Sequence, residues 1–238
     1  IHCGQLVDPR AAKLLQEKTI VVEGSRISAI HDGYTLPEAN DRLVDLKKQT
    51  VMPGLMDMHV HLELEIKKGD AVEKFTRNPP DIAYSSVRFA YTTLLSGFTT
   101  VRDLGGTGVN ISLRNAIAKG EIIGPRIFTA GKSLATTGGH ADPTNGYRKD
   151  LMGDPGPDQA VVNGVPDAYK AVRQRYKEGS DLIKITATGG VLSQAKDGAN
   201  AQFTEEEIRA IVAAAKDYGF KVAAHAHGPE GMKRAIRA

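Results

Sequence analysis

The sequence predicts an α/β fold of parallel strands, preceded by a small all-β segment. Two observations carry this. From residue 53 onward, short apolar strand-like runs alternate with stretches of helical period. Repeated β-then-α units imply parallel strands joined by right-handed crossovers. Before residue 53 there are strand-like runs and turn residues but no helical period. On periodicity alone, a doubly wound sheet and a (β/α)8 barrel both satisfy the pattern.

In chain order, residues 19–24 and 26–30 are β-type runs split by Gly24-Ser25, and residues 43–46 are a third. Residues 50–52 lead into Pro53-Gly54. Short strands with turn residues between them predict an antiparallel sheet, without chemistry, over residues 1–52. Residues 55–61 form the first strand of the alternating series. Ile82, Val87, Ala90, Leu94 and Leu95 give residues 81–96 a helical period. A strand over 97–102 follows, then Gly105-Gly106-Thr107-Gly108 and a helix over 110–119 with Asn110 as its cap. Strands over 125–131 and 181–186 flank a helix over 166–179. Thr204 with Glu207 three residues on is a capping box, opening a helix that reaches Tyr218 and stops at Gly219. Residues 221–225 are the fifth strand. Residues 132–165 lack a period and are rich in Gly, Asp and Pro; long loops of this kind are usually functional or mobile.

Composition sets outer limits. The 238 residues are 41% hydrophobic and 25% charged, enough for one sizeable core and unlike a coiled coil or a disordered chain. Cys3 is the single cysteine, so no internal disulfide holds the fold, and it lies far from every other motif. A net charge of +3 from scattered residues does not indicate a nucleic-acid partner. No apolar run reaches the roughly 18 residues of a membrane helix. The chain opens on Ile1, so a signal peptide is left open; the cytoplasm is favoured, with periplasm or secretion if one was removed.

Three strand ends carry side chains that could do chemistry. In His59-Val60-His61, positions i and i+2 point to one side, so two imidazoles can converge as a metal requires. The alternative is a pair of partly exposed sheet histidines. Lys184 alternates with Ile183 and Ile185, and a lysine there is costly unless its charge is used or removed. It either snorkels to water or reacts with CO2 to a carbamate, an anion able to bridge two cations. His225-Ala226-His227 repeats the i, i+2 spacing. All three fall at carboxyl ends of strands, where parallel α/β folds place their active sites.

Other motifs read more plainly. The 105–108 turn lacks the Lys-Ser/Thr of a phosphate loop, so it reads as a βα turn. Glu63 and Glu65 could hold a basic substrate end, but a solvated loop is favoured. Arg102-Asp103 reads as a surface ion pair or as an orienting hydrogen-bond group. Asp57, two before His59, reads as a supporting residue.

The run Val51-Met52-Pro53-Gly54-Leu55-Met56-Asp57-Met58-His59-Val60-His61 resembles the opening motif of the amidohydrolase superfamily. With Thr99-Thr100-Val101-Arg102-Asp103, Lys184 and His225, the similarity covers residues 15–238. Thr137-Gly138-Gly139-His140 and His225-Ala226-His227-Gly228 resemble the imidazolonepropionase-related branch, which includes metal-dependent Xaa-Pro and Xaa-Arg/Lys dipeptidases. The resemblance implies a (β/α)8 TIM barrel with a flanking β-sandwich. Residues 1–52 would be the N-terminal part of that sandwich, and residues 53–238 the first five or so βα units of the barrel. It implies one or two divalent ions, usually zinc, held by His59, His61 and His225 and bridged by carboxylated Lys184. His140 and His227 would contact substrate. The activity implied is hydrolysis of a C–N bond by a metal-activated hydroxide. A dipeptide, Xaa-Pro or Xaa-Arg/Lys, is the first choice. A cyclic amide or a deamination is the alternative, and an inactive truncated chain the third reading. The partners implied are a small molecule or dipeptide, with no nucleic acid and no membrane, and a homo-oligomer is expected.

The family pattern also asks for a histidine from the sixth strand and an aspartate from the eighth, as ligand and general acid/base. After His227 only residues 228–238 remain, and they read as the start of a helix. No catalytic residue is therefore assigned within the chain, and the polypeptide is expected to continue past Ala238.

Overall fold

The computed structural model describes residues 1–66, 70–193 and 197–238. These fall into two compact units, Ile1–Gly54 and Leu55–Ala238.

The first unit is a four-stranded sheet of β1 (His2–Asp8), β2 (Lys13–Glu23), β3 (Arg26–Asp32) and β4 (Asp45–Val51), in the order β3-β2-β1-β4. Its β2–β3 hairpin lies where two runs are expected, although β2 begins six residues earlier. The runs expected at 43–46 and 50–52 are instead the single strand β4. The sheet is not wholly antiparallel, because β1 pairs parallel to β4 across a bulge between Cys3 and Gln5. Gly4 sits at that bulge: a Cβ there would lie 3.0 Å from the carbonyl carbon of Lys47, so only glycine lets the two backbones approach. Cys3, Leu6 and Ile20 form the unit's small core.

The second unit opens with β5 (Leu55–Val60), α1 (Asp70–Thr76), α2 (Pro79–Leu95), β6 (Phe98–Asp103), α3 (Val109–Ala118) and β7 (Arg126–Thr129). It continues with α4 (Lys149–Met152), α5 (Val165–Glu178), β8 (Ile183–Thr186), α6 (Glu205–Asp217), β9 (Val222–His225) and α7 (Pro229–Arg237). Strands β5, β6 and β7 pair parallel in that order, as do β8 and β9. The chain beyond β7 joins the two sets. Asp181 N–H donates to Thr129 O, Leu134 N–H to Lys184 O and Thr186 N–H to Leu134 O. The five strands therefore lie side by side in sequence order. A doubly wound sheet reverses its order at a switch point, whereas a barrel winds without reversal. Over this stretch the winding is of the barrel kind.

One helix cap differs from expectation. Helix α3 is capped by Gly108 with positive φ, and Asn110 is a buried residue inside its first turn. The aperiodic 132–165 segment contains the short α4 and turns in which Asp142 accepts hydrogen bonds from Gly138 N–H and Thr144. Helix α6 has the expected capping box, with Glu207 N–H donating to Thr204 Oγ1. Its inner face, with Ile208 and Ile211, packs with Val172 of α5 and with Ile183 and Ile185 of β8. This core anchors the strand that carries Lys184. Ile211→Ala is expected to cost about 2–5 kcal/mol of unfolding free energy, read as a lower urea midpoint at unchanged slope. No helix among the described residues is long and apolar enough to cross a membrane.

Candidate metal centre

His59 lies near the end of β5 and His61 one residue beyond it. Their ring centroids are 5.2 Å apart, the shared side that the i, i+2 spacing predicts. Asp57 accepts from His59 N–H at 2.9 Å, so it supports the backbone of the pair rather than a ring. Lys184, from the middle of β8, is only 3% exposed and does not snorkel. Its Nζ lies 3.3 Å from His59 Nε2. Among the described residues no carboxylate bonds to it, and burial, then the Arg102 charge, lowers its pKa to about 8.

His225 ends β9. Its ring stacks on His140 at 4.4 Å and meets His227 edge-on at 4.6 Å. His140 comes from the long segment and lies flat against the backbone of Gly190, where a Cβ would be 2.7 Å from both ring nitrogens. Thus the structure brings His140, His225 and His227 together, and His59 and His61 together, with Lys184 touching His59.

Backbone carbonyls set two tautomers, since a carbonyl oxygen only accepts. His61 Nδ1–H donates to Gly105 O at 2.8 Å, leaving Nε2 with its lone pair. His225 Nε2–H donates to Gly189 O at 2.9 Å, leaving Nδ1 free. Desolvation in the crowded cluster, followed by the Lys184 charge for His59 and by His225 for His140, holds both rings near pKa 4. Desolvation also lowers His225. Neutral imidazole is the metal-binding form.

This donor set fits a divalent cation. It offers neutral imidazoles with free lone pairs, and His140 Nδ1 is buried without a hydrogen-bond partner. No three His, Cys, Asp or Glu side chains among the described residues form a metal-binding group. An ammonium at Lys184 would repel a cation, and a carbamate would attract it.

Two carboxylates brace this end of the sheet; the sequence left Asp103 between an orienting hydrogen-bond group and a surface ion pair, and placed Glu63 in a solvated loop. Asp103 is fully buried rather than a surface ion pair. It accepts from Leu62 N–H at 2.9 Å, Gly105 N–H at 3.2 Å and Asn110 Nδ2 at 2.9 Å. Burial raises its pKa against the pull of those bonds. Glu63 is buried, not in a solvated loop, and accepts from Thr107 N–H and Asn110 N–H at 2.6 Å each. It thereby occupies amides at the start of α3, consistent with a βα turn rather than a phosphate cradle. Glu65 stays at the surface beside Arg88. Cys3 is buried in the first unit.

Residues 50–238 match the amidohydrolase family. The chain belongs to that family. The amidohydrolase resemblance read from residues 51–61 is thus borne out, and amidohydrolases generally use divalent metals. A solved Xaa-Pro dipeptidase with methionine bound in its active site is 53% identical. It superposes with a TM-score of 0.94 over 99% of this chain and 58% of its own. Ochratoxinase of Aspergillus niger is 29% identical over 100% of this chain and 52% of its own length. Imidazolonepropionase of Paenarthrobacter aurescens (strain TC1) is 25% identical over 90% of this chain and 49% of its own. The chain spans about half the length of the curated amidohydrolase relatives it matches.

Proposed function

We propose that the protein is a metal-dependent hydrolase of a C–N bond in a dipeptide, with Xaa-Pro as the first substrate class and Xaa-Arg/Lys as the second. The observation that carries this is the approach of Lys184 Nζ to His59 Nε2 at 3.3 Å, with His61 beside His59 and His225 at the end of the strand paired to that of Lys184. The similarity to a solved Xaa-Pro dipeptidase supports the substrate class. In this reading residues 53–238 are the first βα units of a TIM barrel, and residues 1–52 belong to a flanking β-sandwich. The active assembly is a homo-oligomer.

His59, His61, His225 and carboxylated Lys184 would hold one or two zinc ions. When bound, such ions polarise the scissile carbonyl and lower the pKa of water. The chain's own residues do the rest of the positioning. Gly105 O and Gly189 O keep the His61 and His225 lone pairs turned to the site. His140 and His227 flank His225, able to meet the polar atoms of a substrate beside the scissile bond. Gly190 holds His140 flat. No residue of this chain is assigned as the general acid/base that passes a proton to the leaving amine.

Hydrolysis of a cyclic amide is the second reading, favoured by the similarity to imidazolonepropionase. A kinetic screen of the whole polypeptide separates the two. Xaa-Pro and Xaa-Arg/Lys dipeptides are expected to turn over with the higher kcat/KM. Turnover of cyclic amides alone rejects the dipeptidase reading.

A further inference from the structure

We propose that Asp103 is a positioning residue that sets the ring tautomer and direction of His61, through a closed ring of hydrogen bonds between the β5 and β6 ends. This rests on the reading of His61 as a metal ligand. Asp103 Oδ2 accepts from the N–H of Leu62, the residue after His61. Asp103 Oδ1 accepts from Gly105 N–H. The Gly105 carbonyl accepts from His61 Nδ1–H. One carboxylate therefore holds both the backbone that carries the imidazole and the peptide that orients it.

The surroundings make the ring rigid. Asn110 Nδ2 donates to Asp103 Oδ1 and also to Gly131 O, tying the carboxylate to α3 and to the end of β7. Leu104 N–H donates to Val60 O, which fixes the stagger of the two strand ends. Ser133 Oγ donates to Leu104 O and stands where a Gly105 Cβ would go. Gly105 has a φ of +153°, so a side chain there is disfavoured by backbone and neighbour alike. Water cannot readily take over the carboxylate's bonds, because Asp103 is fully buried. Partners that orient a ligating histidine matter nearly as much as the histidine, and losing one costs about 10- to 100-fold in metal affinity. His225 provides an internal control: its ring is held by Gly189 O, with no link to Asp103.

Asp103→Asn presents an amide N–H to backbone donors and opens the ring while keeping side-chain size. Long-range 1H–15N spectra of the metal-free protein report each histidine tautomer. Wild-type His61 is expected as the Nδ1–H form. In Asp103→Asn it is expected to lose that fixed form while His225 keeps its own. Zinc affinity, by competition with a chromophoric chelator, is expected to fall about 10- to 100-fold. Retention of either the His61 tautomer or the wild-type zinc affinity overturns the proposal. Should Asp103→Asn not fold, Gly105→Ala in a Ser133→Ala background strains the same ring at the Gly105 peptide, whose positive φ disfavours a side chain. The same loss of tautomer and affinity is expected there, and retention of either again overturns the proposal. The tautomer is read without metal or substrate. A failure of the dipeptidase reading thus leaves it untouched, and a failure here leaves hydrolysis to be measured separately.

Discussion

The double substitution His59→Ala, His61→Ala is expected to abolish zinc uptake and to lower kcat/KM by about 1,000-fold or more. Metal ions in such hydrolases supply several kcal/mol of transition-state stabilisation, and each 1.36 kcal/mol is a factor of ten. The loss should be chemical rather than structural. Both rings sit at an exposed strand end, outside the apolar clusters that hold β5 and β6. Substitutions away from buried features usually change stability by about 0.5 kcal/mol or less. The apo melting temperature is therefore expected to stay close to wild type. Elemental analysis of the purified protein should fall from about one or two equivalents of metal to a background trace. Full activity in the double variant would end the metal-hydrolase reading, whatever the metal content.

How much of this was legible in the sequence differs between the two units. From Leu55 onward the alternation of period 2 and period 3.6 is local information, and β6, β8, α6 and β9 lie within a few residues of where it puts them. The order of the strands is not local. It became visible only in bonds such as Leu134 N–H to Lys184 O, which join residues fifty apart. In the first unit, β1 escaped because Gly4 interrupts its pattern, and the parallel pairing with β4 rests on that same glycine. The candidate ligands His59, His61 and His225 stood out because each lies in a His-x-His motif near a strand end, and Lys184 because it alternates with isoleucines. The carboxylates were legible only in part: the orienting role was one of two readings for Asp103, and Glu63 was read as a solvated loop residue. Asp103 and Glu63 act on amides 41 and 44 to 47 residues away, and a solvated glutamate and a buried one look alike in sequence.

Lys184 should show two effects of opposite sign. Lys184→Met removes a buried amine whose only close polar neighbour among the described residues is the His59 ring, and keeps a similar unbranched volume. Burying a polar group without full compensation costs about 1–3 kcal/mol, so the metal-free variant is expected to be more stable than wild type by an amount of that order. A lysine kept for packing would give the reverse, a loss of stability on substitution. Metal content and turnover are expected to fall together in the same variant, because the carbamate proposed to bridge the cations could not form and the cluster left behind would be all imidazole. The species responsible can be seen directly. Protein reconstituted with zinc and 13C-bicarbonate is expected to show a carbamate carbon resonance, and Lys184→Met is expected to lack it. Reconstitution with CO2 excluded should leave the wild type poor in metal until bicarbonate is returned. If the wild type takes up its full metal without CO2 and shows no carbamate carbon, Lys184 is not the bridge. The cation would then have to be held by the imidazoles against an uncompensated neighbour, which the 3.3 Å approach of Nζ to His59 Nε2 disfavours.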